Sequence, residues 1–141
     1  MNIVSIILAI LAGIFTTIET SINAQLGKNL TPGLATLHSL IIGVILMLFL
    51  CSYGGSISGY SKILTVNPVL WLGGIFGAFI ILFSSKAIPE LGISNTLILI
   101  LSGQLVSGLV LDVYRNNIEI GSKKILGLAM FLIGTIIFLK D

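Results

Sequence analysis

The chain has 141 residues, 56% of them hydrophobic and only 9% charged. Soluble domains carry roughly 25% charged residues, and a soluble core this apolar would lack the polar surface to cover itself, so the bilayer is the solvent. A scattered net charge of +2 does not suggest nucleic acid as a partner, and the lone Cys51 rules out an internal disulfide or a cysteine metal cluster.

About 20 apolar residues cross a bilayer as a helix, and five segments qualify: Ile3–Leu26, Leu34–Tyr53, Val69–Ser85, Gly92–Val113 and Ile125–Leu139. The expected fold is an all-α integral membrane protein, a single five-helix transmembrane domain over residues 1–141. The first segment has no basic n-region, and Ile22-Asn23-Ala24 is a poor cleavage site, so it reads as a retained helix rather than a signal peptide. Gly27-Lys28-Asn29 and Thr31-Pro32-Gly33 separate it from the second. A polar, glycine-rich loop from Gly54 to Val66 follows, and Asn67-Pro68 supplies an N-cap and first-turn proline for the third. Ile88-Pro89-Glu90 is expected to break the chain before the fourth helix, and Arg115-Asn116-Asn117 to end it. The fifth segment is short, but Lys123, Lys124 and Lys140 can snorkel at its ends.

Five spans place the termini on opposite sides. Lys62, Arg115, Lys123 and Lys124 then share the N-terminal side, and Lys28, Lys86 and Lys140 the other. Lys/Arg bias sets orientation, and this near-balance is compatible with insertion both ways, with a slight preference for the N-terminus inside.

Glu19 is the one formal charge between Ile3 and Leu26. A carboxylate in hydrocarbon costs several kcal/mol unless it is protonated, paired or facing water. At about 100° per residue, Ala12, Thr16, Glu19 and Asn23 share a stripe, which should face protein or water. His38 is the sole ionisable group of the second helix. In the fourth, Gln104, Gly108 and Asp112 form a second stripe, flanked by Ser107. Glu19, Asn23, His38 and Gln104 are the candidate substrate- and proton-binding residues; Thr16, Ser107, Asp112 and Trp71 are secondary candidates.

Each has a plainer alternative. Glu19 could make a structural ion pair, with His38 as one partner; His38 could satisfy a carbonyl; Gln104 could be interhelical glue. Asp112 suits a helix-end anchor and Trp71 an interfacial one. Gly73-x-x-x-Gly77 and Gly74-x-x-x-Ala78 read as packing faces. No phosphate-binding glycine loop or metal-ligand spacing occurs, and His38 and Cys51 make no credible nucleophile–base pair, so neither an enzyme nor a cofactor is expected.

Ile22-Asn23-Ala24-Gln25-Leu26-Gly27, Trp71-Leu72-Gly73-Gly74 with Gly77, and Leu91-Gly92 with Gly103-Gln104-Leu105 and Asp112 together resemble the small five-helix members of the drug/metabolite transporter superfamily, the YdcZ-like proteins. The resemblance covers nearly the whole chain. It implies a transporter module of a prokaryotic cytoplasmic (inner) membrane with half the helices of its ten-helix relatives, completed as an antiparallel ten-helix dimer. The partner would be a second copy or an oppositely oriented paralogue. The near-balanced charges fit this independently. Relatives commonly carry Gln at the Glu19 position and a neutral residue at His38, so this chain is shifted towards the small multidrug resistance proteins, which use a first-helix glutamate for protons and cations. The leading expectation is exchange of protons for a small organic cation. The alternatives are transport of a neutral or anionic metabolite, and a non-transporting accessory subunit of a larger membrane complex.

Overall fold

The computed structural model describes residues 2–116 and 120–140, and these are helical almost throughout, with no strand among them. α1 (Ile3–Asn29) is opened by Asn2, whose side chain accepts the Val4 N–H at 3.1 Å. It runs three residues past Leu26 rather than ending there. Gly27 is a contact point and not a breaker: a Cβ built on it would sit 3.4 Å from the Pro32 Cα and 3.9 Å from the Ala35 Cβ. Lys28 in the last turn complements the helix dipole, and Asn29 Nδ2 donates to the Gln25 carbonyl at 3.2 Å.

Only Leu30 and Thr31 separate α1 from α2 (Pro32–Tyr53). The triplet read as a separator is in fact the helix start. The Thr31 hydroxyl accepts the Leu34 N–H at 3.2 Å, and Pro32 occupies the first turn, where its missing N–H costs nothing. Asn23, Ala24 and Gly27 of α1 and Ala35 and Thr36 of α2 are buried, so small side chains let the two backbones close into a hairpin.

The expected loop after α2 is also structured. Gly55 takes a φ of 68°, and a 3₁₀ segment then runs from Ile57 to Thr65. Asn67 caps the next turn as expected, accepting the Val69 N–H at 3.0 Å, but this turn (Pro68–Trp71) is 3₁₀ and leads into α3 (Leu72–Leu91). α3 does not break at Pro89. A proline in the last turn removes a single N–H donor, the one that would meet the Ser85 carbonyl, and the helix tolerates it. The break falls at Gly92, with φ at 81°, a conformation other residues rarely adopt.

α4 (Ile93–Asn116) and α5 (Ser122–Phe138) follow. Asn117, expected near the end of α4, lies outside the described residues. α5 begins three residues before Ile125, so Lys123 and Lys124 lie in its first turn.

The chain forms two compact units, Met1–Glu90 and Leu91–Asp141. The first is built on the α1–α2 hairpin. The second is an α4–α5 hairpin in which the Ser102 and Thr135 hydroxyls meet at 3.3 Å. Among the described residues, four helices are long and apolar enough to cross a membrane: Ile3–Asn29, Pro32–Tyr53, Pro68–Leu91 and Ile93–Arg115. Few of their residues are buried within the chain, and large apolar side chains such as Phe15, Phe49 and Phe83 are exposed. The bilayer accounts for such surfaces.

Candidate functional site

The first unit holds an open groove of about 590 Å³, lined chiefly by the polar stripe of α1. Thr16, Glu19 and Asn23 all face it, together with Ala12, Phe15 and Ile22, and Ser39 comes in from α2. The stripe read from helical periodicity is therefore a groove wall. At a rise of about 1.5 Å per residue, Glu19 stands about 15 Å from the end of α1, half the thickness of a hydrocarbon core.

The polar groups of α1, in the groove and beside it, differ in how they are satisfied. Thr16 donates to the Ala12 carbonyl at 2.9 Å, Thr17 to Gly13 at 3.1 Å, and Thr20 to Thr16 at 2.8 Å. These hydroxyls are thus absorbed by the helix's own backbone, as membrane helices allow. Asn23 is buried, and its Nδ2 donates to the Ser39 Oγ at 3.2 Å, which ties the helices together at groove level. Glu19 is different. It is exposed to the groove, and among the described residues it has no hydrogen bond or ion pair. No ion pair joins it to His38, which is exposed on α2 one position before Ser39 and does not line the groove.

Ser39 was not among the expected residues. No pattern within α2 alone marks it: Ser39 reaches the groove because α2 packs on α1 across the two-residue connection.

The remaining candidates lie elsewhere in the chain. Gln104 is exposed on α4. The α4 face turned to α5 is instead the one carrying Ser102, Leu105 and Leu109; the latter two line a groove of about 240 Å³ with Gly127, Leu128 and Phe131. Ser107 donates to the Gly103 carbonyl at 2.7 Å, and Asp112 is half-buried four residues before the end of α4. Trp71 is exposed where the 3₁₀ turn meets α3. Gly73, Gly74 and Gly77 have open space where a Cβ would stand, among the described residues.

No solved structure matches this chain. The inner membrane protein YdcZ of Escherichia coli (strain K12) is 23% identical over 112 residues, which cover 77% of this chain and 74% of that protein. The family model described as "Putative inner membrane exporter, YdcZ" matches residues 4–137. With nearly its whole length inside that match, and several helices able to span a bilayer, this chain is a multi-pass inner-membrane protein of the YdcZ family.

Proposed function

We propose that the protein is a secondary transporter that exchanges protons for a small organic cation, with Glu19 as the site both compete for. The observation that carries this reading is the unpaired Glu19 carboxylate in a groove about half a bilayer from the helix end. An ionised, unpaired carboxylate costs several kcal/mol in hydrocarbon, and covering this face with a water-filled cavity or another chain relieves that cost. A second copy inserted the opposite way meets that need and brings two Glu19 residues to one cavity. The charge of two carboxylates in one cavity can be neutralised either by protons or by a bound cation, so the two compete and substrate entry is coupled to proton release. In the complete assembly α5 is the fifth span, with Lys123 and Lys124 in its first turn and Lys140 just past its end snorkelling to the interfaces. Alternating access then needs only that the two copies exchange conformations.

Glu19→Gln tests this. The change is nearly isosteric and preserves the groove, but a bound cation loses its counter-charge. We expect binding of a small organic cation to fall at least tenfold, about 1.4 kcal/mol, and the residual binding to lose its pH dependence because Gln cannot titrate. Wild-type binding and transport at every pH would replace the proposal with a second reading, transport of a neutral metabolite. The amide–hydroxyl pair of Asn23 and Ser39 in the same groove favours that alternative.

A further inference from the structure

The segment between α2 and α3 repeats its apolar residues every three positions: Ile57, Tyr60, Ile63 and Val66. A 3₁₀ helix has three residues per turn, so over Ile57–Thr65 this spacing draws Ile57, Tyr60 and Ile63 into one continuous apolar stripe, while Gly59, Lys62 and Thr65 form another. The apolar stripe is not packed away. Tyr60 is 71% exposed and its neighbour Leu64 80% exposed, yet with Ile63, Leu70 and Trp71 they line a groove of about 480 Å³. Ser61 donates to the Ser58 carbonyl at 3.1 Å and Thr65 to Lys62 at 2.7 Å, so two of the segment's hydroxyls are satisfied locally. An exposed apolar stripe is costly in an aqueous loop and suits a segment embedded at the membrane surface.

We infer that residues 57–71 form an interfacial anchor whose groove takes an anionic phospholipid, its upper acyl chain against Tyr60, Leu64 and Trp71 and its phosphate towards Lys62. Two features select this occupant. The groove is continuous with the membrane-spanning α3, and Lys62, on the adjoining stripe of the same 3₁₀ helix rather than in the groove lining, is the only Lys, Arg, Asp or Glu in the sequence between Lys28 and Lys86. The inference stands apart from Glu19 and survives the failure of the transport proposal.

Trp71 is the chain's single tryptophan, so its fluorescence in the intact protein reports on this site alone. In reconstituted vesicles, lipid brominated near the carbonyl end of its acyl chains should quench Trp71 about twofold more than lipid brominated near the methyl end. At equal mole fraction, brominated phosphatidylglycerol should quench about twofold more than brominated phosphatidylcholine. Lys62→Gln should remove the difference between the headgroups and keep the depth profile. Free quenching by aqueous iodide would show a solvated loop and overturn the inference. Protection from both iodide and brominated lipid would overturn it in favour of a second copy covering the groove. Equal quenching by the two headgroups in the wild type would overturn the assignment of an anionic lipid.

Discussion

At the scale of single residues, the polar atoms of this chain divide into those the helices satisfy and those they leave over. Ser85 is fully buried, and its Oγ has no hydrogen-bond partner. Removing an unsatisfied buried hydroxyl removes its desolvation cost, so Ser85→Ala should leave stability unchanged or raise it by about 1 kcal/mol, measured by denaturation in mild detergent. Thr135→Val should do the reverse, since it breaks the hydroxyl link to Ser102; interhelical hydrogen bonds in membranes average about 0.6 kcal/mol. Gln104→Ala should weaken substrate binding with little loss of folded protein if Gln104 binds substrate, whereas aggregation of the purified variant would mark it as interhelical glue. Asp112→Asn should retain wild-type affinity and pH dependence, as expected of a group that anchors a helix end; lost coupling would place Asp112 in the transport machinery.

At the scale of elements, the α1–α2 hairpin depends on close approach at Gly27. A Cβ there would make only ordinary contact at 3.4 Å, so Gly27→Ala should fold normally. Gly27→Leu should destabilise the hairpin by about 1–3 kcal/mol through overpacking, seen as a lowered melting temperature. The helices themselves were legible because membrane spans announce themselves by apolar length, and the Thr16–Glu19–Asn23 stripe was legible because helical periodicity is local. What was not legible depended on context. Pro89 looks like a stop, but near a helix end it removes only one donor, and the stop is the positive φ of Gly92. Thr31-Pro32-Gly33 looks like a separator until Thr31 is seen to cap. Ser39 joins the groove through the pairing of two helices, which no single-helix pattern contains. The 3₁₀ segment was missed because its period of three resembles neither a helix nor a strand.

At the scale of the whole molecule, the near-even division of positive charges that five spans would give is the feature most open to direct measurement. Reporter fusions at both termini should give signals from both sides of the membrane if oppositely inserted copies assemble with each other. A single orientation would require a separate partner inserted the other way, or a parallel assembly. The open space at Gly73, Gly74 and Gly77 gives such a partner a close-packing face. The hydrogen bonding within α1 also bears on how the chain enters the bilayer during synthesis. Because Thr16, Thr17 and Thr20 bond to their own helix, they add little to the cost of leaving the translocon, and that cost is concentrated in Glu19 and Asn23. Asn23 meets Ser39 only once α2 has followed. With just two residues between the helices, α1 and α2 gain by entering lipid together, as a co-inserted pair in which Asn23 has found its partner while Glu19 still carries an unmatched carboxylate.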